Sequence, residues 1–210
     1  MSITQKITTL YKSRKTIIDL LLNLNYDVSD YIIFSINEID TMNQTDQLDM
    51  LIHHQTDKKK VYVKYYLPEK QKQISRLVLD EIIDDLFHVE NVLTKEDTLI
   101  IIMDEEPNES NIIKMNFLYE HDGFFIVMHN IKRLQYNILN HSLVPKMTIL
   151  TESENISLML EKQIQSLLQL PEISRYDAQA LAMCLRPNQI CKIERNSVTA
   201  LNCLYYRVCV

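Results

Sequence analysis

The chain has one glycine and no tryptophan in 210 residues. A lone glycine, Gly123, excludes any phosphate cradle made from a glycine-rich loop, and no Walker, Rossmann or G-x-S-x-G pattern is present. Tight turns must then rely on Asn, Asp, Pro and Ser, of which asparagine best tolerates the left-handed backbone region. Abundant Ile, Asn, Lys and Tyr beside scarce glycine follow AT-rich codons, which points to an AT-rich genome such as that of a large DNA virus or certain protists.

Metal-ligand spacing is missing as well. Cys184, Cys191, Cys203 and Cys209 form no C-x-x-C pair, and the six histidines form neither H-x-x-x-H nor a Cys/His zinc pattern. The cysteines read as reduced core fillers, and His53 and His54 as strand neighbours pointing to opposite faces. No apolar run approaches the roughly 18 residues of a membrane helix. The N-terminal MSITQKITTLYKSRK has no apolar core ahead of a small-residue cleavage site. An intracellular chain is expected, with no membrane partner, cofactor, metal or small-molecule substrate.

What is present is the composition of a folded protein, 46% hydrophobic and 24% charged, long enough for one or two domains. Ile3, Ile7, Leu10, Tyr11, Ile17, Ile18, Leu21 and Leu24 recur at helical spacing. Ser29 reads as the cap of a short helix through Tyr31 to Ile36, followed by a polar stretch from Asn37 to Gln47. Leu48 to His54 and Val61 to Leu67 predict an antiparallel hairpin. Ile74, Leu77, Val78, Ile82 and Leu86 form another helical stripe. Leu99 to Met103 and Phe124 to Met128 are unbroken apolar runs, read as buried strands on either side of a helix from Asn108 to Glu120. Strands alternating with helices predict an α/β domain with a mixed sheet and flanking helices over residues 1–142.

A small α+β domain is expected over 143–210. Lys146 to Leu150 should be a strand. Thr151-Glu152-Ser153-Glu154 is a capping box opening a helix with the stripe Ile156, Met159, Leu160, Ile164, Leu167 and Leu168, stopped by Pro171. Asp177 should cap a helix through Cys184, and strands should run from Gln189 to Arg195 and up to Tyr206-Arg207. Ile190, Ile193, Tyr206 and Val208 predict a core on one sheet face, leaving the other for a partner. So small a module buries only about 60% of its unfolded surface and gains by docking.

Residues 1–146 hold 16 Lys and Arg against 22 Asp and Glu, and the remainder 6 against 6, so the net charge of −6 lies in the N-terminal part. Phosphate-backbone affinity rises with the number of basic side chains, so this part should bind DNA poorly alone. Lys58, Lys59 and Lys60 read as a solvated turn, and Lys12, Arg14 and Lys15 as the polar face of a helix. A nuclease needs a carboxylate plus an Asp/Glu-x-Lys on the neighbouring strand. Asp49 with Asp57-Lys58-Lys59 is the nearest arrangement, but Tyr62 stands two before Lys64, where a carboxylate is required.

The densest pattern is residues 170–210, LPEISRYDAQALAMCLRPNQICKIERNSVTALNCLYYRVCV. Leu170, Pro171, Ile173, Asp177, Ala180, Gln189, Lys192, Ile193, Arg195, Ser197, Thr199, Ala200, Tyr206 and Arg207 make it resemble the C-terminal assembly module of the fifth subunit shared by the eukaryotic nuclear RNA polymerases, which has an archaeal counterpart. Ala178 replaces a family proline, and Cys184, Asn188 and Leu201 replace family glycines. Asn137-Ile138, His141, Leu143, Val144 and Pro145 resemble the family segment NIxxHxLVP, with His141 structural. Leu10 to Thr16 resembles the LWKxRKT of its first helix.

The resemblance implies an N-terminal jaw domain and a C-terminal assembly domain of a multisubunit DNA-directed RNA polymerase, without chemistry of their own. The assembly domain would dock on the largest subunit, beside other polymerase subunits, through Pro145, Pro171, Ile173, Asp177, Lys192, Arg195, Thr199, Tyr206 and Arg207. The jaw would face downstream duplex DNA only within the complex, bringing Lys12, Arg14, Lys15, Lys58, Lys59 and Lys60 near it. The implied compartment is the nucleus for a cellular chain, the host cytoplasm and virion for a viral one. A free-standing nuclease-like or DNA-binding protein, and a paralogue with a different protein partner, are the alternatives.

Overall fold

The computed structural model describes residues 3–68, 74–197 and 201–210. The chain divides into two compact units, Met1–Asn137 and Ile138–Val210. The division falls ahead of the expected 142/143 boundary because Leu139 already packs into the core of the second unit.

The first unit opens with α1 (Ile3–Asn23), whose stripe of Leu10, Ile17, Ile18 and Leu21 is buried. Asn25 ends it in the left-handed region, φ 62°, its N–H donating to the Leu22 carbonyl at 3.1 Å. Then follow β1 (Tyr26–Asp27), α2 (Ile36–Gln44), β2 (Met50–His54), β3 (Lys60–Tyr65), α3 (Arg76–Ile83), β4 (Thr98–Met103), α4 (Glu109–His121) and β5 (Phe125–Asn130). The sheet order is β1-β2-β3-β4-β5. β2 and β3 form the antiparallel hairpin, with Leu51 opposite Tyr62. β3, β4 and β5 run parallel, Val63 beside Ile100 and Ile100 beside Val127, so α3 and α4 lie in the crossovers that parallel neighbours require. Every residue of β4 and β5 is buried, which explains their unbroken apolar runs.

Two expectations for this unit fail. Ser29 to Tyr31 is only a single 3₁₀ turn, in which Ser29 donates through its N–H and Oγ to Asp27 Oδ1. The helix lies instead in the stretch read as polar: Ser35 accepts from the Glu38 N–H, and the Glu38 carboxylate accepts from the Ser35 N–H at 2.6 Å, a reciprocal capping box. In α3, Leu77 faces outward, and the buried residues are Leu79, Ile82 and Ile83, continued by Leu86 and Phe87 in a π-helical turn, Asp84–Val89. The single glycine, Gly123, sits just past α4 at φ 79°, where the chain reverses and Phe124 N–H reaches back to the Leu118 carbonyl.

The second unit contains β6 (Lys146–Ile149), α5 (Glu152–Glu161), β7 (Glu172–Ile173), α6 (Ala178–Ala182), β8 (Ile190–Ser197) and β9 (Leu201–Cys209). Its sheet order is β6-β8-β9-β7, antiparallel except for β7 beside β9. Thr151 and Glu154 form the expected capping box, but α5 stops at Glu161 rather than at Pro171. Gln163, φ 53°, turns the chain there, and a separate 3₁₀ turn, Leu167–Gln169, precedes the proline. Within α5 only Leu158 is buried; Ile156 and Leu160 are exposed, as is Leu168 beyond it. α6 likewise ends at Ala182, short of Cys184.

The sheet does not keep one face free, as the alternation predicted. Ile190 and Val208 join Leu158 and Leu170 on one side. Cys191, Ile193 and Cys209 join Met147, Ile173, Ala180, Met183 and Leu185 on the other. Residues 190 and 193 differ in parity, so they must point to opposite faces.

Candidate docking surface

Much of the densest motif is used internally. The Asp177 carboxylate accepts from the Gln179 N–H at 2.9 Å and caps α6. Ala180 and Ile193 are core residues, and Pro145 accepts through its carbonyl from Gln179 Nε2 at 2.7 Å. Ile173 is buried in the same core, so its side chain is removed from the expected partner surface; extended segments look available in a sequence, but this one is a sheet strand. At the turn before β8, Asn188 stands at φ 68° and donates from its N–H to the Cys209 carbonyl at 2.9 Å. Cys184 (φ 49°) and Leu201 (φ 51°) are also left-handed. All three positions that differ from the family glycines therefore keep the backbone a glycine would adopt.

Three of the four thiols, those of Cys184, Cys191 and Cys209, are held neutral by their environment. Burial pushes Cys184 up to about 12 and Cys209 up to about 11, and raises Cys191 in the same direction. A thiol held neutral at physiological pH is neither a nucleophile nor a ready metal ligand.

Four of the expected interface residues line two grooves. Pro145 and Arg195 line one of about 760 Å³ together with Leu143, Asn196, Asn202 and Leu204. Lys192 and Tyr206 line a smaller one, about 300 Å³, with Leu150, Ser157, Leu158 and Glu161. Lys192 pairs with Glu194 at 3.1 Å. Arg207 Nη1 donates to the Glu172 carbonyl at 2.9 Å beside the exposed Pro171. Thr199 lies outside the described residues. β7 meets β9 only at Val208 and Cys209, so among the described residues nothing pairs with the outer edge of β9 from Leu201 to Tyr206. An uncovered strand edge is a template for an added strand. Leu201, Leu204 and Tyr205 are exposed along it, and Leu143, Ile156, Leu160 and Leu168 elsewhere on the unit. The motif letters drew attention to charges, whereas the more telling signals are this edge and these apolar side chains.

In the first unit, Lys12, Lys15, Lys58 and Lys59 are exposed. Lys60 is turned inward, its N–H donating to Asp97 Oδ1 at 2.6 Å and its Nζ to the Val92 carbonyl at 3.3 Å. Arg14 is withdrawn from the expected DNA-facing group, for it is 3% exposed on the inner side of α1 and Nη1 donates to the Leu48 carbonyl at 2.7 Å. Asp49, the carboxylate nearest to a nuclease pattern, is engaged by three donors: Tyr62 Oη at 3.1 Å, Lys64 Nζ at 3.2 Å and the Tyr65 N–H at 3.0 Å. Tyr62 thus fills the place where a second carboxylate would help hold a cation.

Fold and surface define a two-unit α/β protein whose small C-terminal unit leaves a strand edge and several large apolar side chains uncovered among the described residues. A family profile described as RNA polymerase Rpb5, C-terminal domain, matches residues 136–209, nearly the whole of that unit. DNA-directed RNA polymerase subunit Rpo5 of Pyrococcus abyssi is 42% identical over 76 residues, which is 36% of this chain and 92% of the relative. The Rpo5 subunits of Pyrococcus horikoshii, 42% identical, and Thermococcus kodakarensis, 37% identical, match over the same shares. The chain belongs to the Rpb5/Rpo5 family of RNA polymerase subunits.

Proposed function

We propose that this chain is a non-catalytic subunit of a multisubunit DNA-directed RNA polymerase, assembled on the largest subunit through its C-terminal unit. The carrying observation is that the family match coincides with the unit that leaves a strand edge and several large apolar side chains uncovered. Burying such groups against a partner removes apolar surface from water at about 25 cal/mol per Å² and satisfies the free backbone groups of β9. In this reading Pro145, Pro171, Lys192, Arg195, Thr199, Tyr206 and Arg207 belong to the interface, while Ile173 and Asp177 support it from within.

The N-terminal unit then acts as the jaw, held at downstream duplex DNA by the assembled enzyme. Its acidic balance supports a role that depends on the complex, because few counterions would be released by the free chain. Lys12, Lys15, Lys58 and Lys59 are the cations available to approach phosphates there. The compartment follows the polymerase served, the nucleus in a cell or the host cytoplasm and particle for a virus.

Purification of the tagged full chain from its native source tests the reading. Stoichiometric recovery with the two large polymerase subunits is expected; recovery with unrelated proteins alone would overturn it in favour of a repurposed relative. The double variant Pro171→Ala with Arg207→Ala should lower incorporation several-fold while the N-terminal unit keeps its circular-dichroism and proteolysis signature. Undiminished incorporation would remove the β7–β9 corner from the interface.

A further inference from the structure

Arg14 is almost wholly buried, yet no carboxylate among the described residues lies within ion-pair distance of it. The bond to the Leu48 carbonyl satisfies one of its nitrogens, and the rings of Tyr31 and Phe34 stand 5.8 and 5.3 Å from the guanidinium carbon. Its Nε has no hydrogen-bond partner. A desolvated cation with an unused donor is costly unless something compensates it.

Arg14 also lines a cavity of about 350 Å³ between α1 and the segment from Tyr31 to Ile39. The walls are mainly apolar, from Ile18, Leu22, Ile32, Phe34 and Ile39, with Lys15 and Asp19 adding one charge of each sign. The same segment that forms one wall of the cavity also carries Ile33, 86% exposed, and Ile36, 48% exposed. A protein segment can cover these exposed side chains as well as the cavity, which a ligand confined to the cavity does not.

We propose that this groove docks a segment of a partner protein in which a carboxylate is flanked by bulky apolar side chains, the carboxylate lodging against Arg14 and the neighbours against Ile18, Leu22 and Ile32. Charge decides the class: with Lys15 and Asp19 offsetting one another, Arg14 leaves the groove one positive charge. A basic segment would be repelled, and a neutral apolar one would leave Nε without a hydrogen-bond partner. The site is on the N-terminal unit and stands independently of the polymerase reading.

The test is methyl NMR of the Ile- and Leu-labelled full chain titrated with two probes. One is the capped peptide Leu-Phe-Glu-Leu-Leu, compared with its Gln counterpart; the other is 4-phenylbutyrate, compared with 4-phenylbutylamine. Saturable shifts centred on Ile18, Leu22, Ile32 and Ile39 are expected, at least tenfold tighter for each carboxylate probe than for its control. Arg14→Met should abolish the preference. Because removing a buried residue can unfold the unit, Ile32→Asp at the exposed rim serves as the second variant and should weaken carboxylate binding tenfold or more with the spectrum otherwise unchanged. Equal affinity for Glu and Gln peptides, shifts centred elsewhere, no shifts with either carboxylate probe, or groove shifts that grow with protein concentration alone would each overturn the proposal, the last by assigning the groove to a second copy of the chain.

Discussion

Leu201 and Cys184 hold a backbone conformation that costs a side-chain-bearing residue about 1–2 kcal/mol, because Cβ crowds the following carbonyl. Asn188 and Asn25 occupy the same region more cheaply, as asparagine does. In so small a unit Leu201 and Cys184, with Gln163 as a third such position, are a measurable load, and surrounding structure must hold them in place. Leu201 is 85% exposed, so its side chain contributes little packing within the unit. Leu201→Gly should therefore raise stability by about 1 kcal/mol, part of the relief being lost to the greater freedom of glycine in the unfolded chain. Cys184→Gly should give less, since the packing of a half-buried side chain is lost with it. Urea midpoints of the two variants check this; a lower midpoint for Leu201→Gly would mean that the hairpin does not depend on a left-handed residue at that position.

Periodicity tells which residues of an element share a face, and nothing about what covers that face. On α5 the stripe was plain in the sequence, yet Leu158 is buried whereas Leu160 is 76% exposed. Leu158→Ala should cost about 2–4 kcal/mol, as cavity-forming truncations do. Leu160→Glu should change stability by less than about 0.5 kcal/mol and still lower recovery with the polymerase, a separation that thermal melts and pull-down yields together reveal. The strands were legible for the opposite reason, because runs such as Leu99 to Met103 are apolar on both faces and need no phase assignment. α2 was missed since Ile39 is its only buried residue and gives no stripe, although Ser35 and Glu38 spelled its cap. Arg14 was misread in the same way: it lies four residues from both Leu10 and Ile18, on the buried stripe of α1, but its charge drew the eye outward. Of the proposed docking surface, the motif residues could be named from the sequence but not the uncovered edge of β9, which exists only once β7 is seen to be two residues long.

Across the whole molecule the groups with displaced ionisation lie at the two ends of the pH scale. Glu38 and Glu154 are held below the ordinary carboxylate value of 4.5 by the N–H and hydroxyl donors of Ser35 and Thr151. Folding favours their charged forms, so what they contribute is present above that value and is lost as pH falls through the lower, native one. On the alkaline side the sign reverses. Burial pushes Cys184 and Cys209 up to about 12 and about 11 from an ordinary 9, and Tyr65 up to about 12 from an ordinary 10, with Tyr62 raised as well. The native state then holds protons that the unfolded chain releases, so this contribution is complete below about pH 9 and is withdrawn as pH climbs toward the native values. Both units feel the alkaline loss, since the tyrosines belong to the first and the cysteines to the second. Urea midpoints measured from pH 4 to pH 11 should form a plateau between about pH 5 and pH 9 with a fall on either side. Glu38→Gln with Glu154→Gln should make the acid limb alone shallower, Asp27 with its Ser29 donors keeping part of it, because the exposed caps have no part in burying the thiols and phenols. A midpoint that rose above pH 9 would mean that those groups ionise in the native state, and with it the inert thiols and the dry core around Tyr65 would have to be given up.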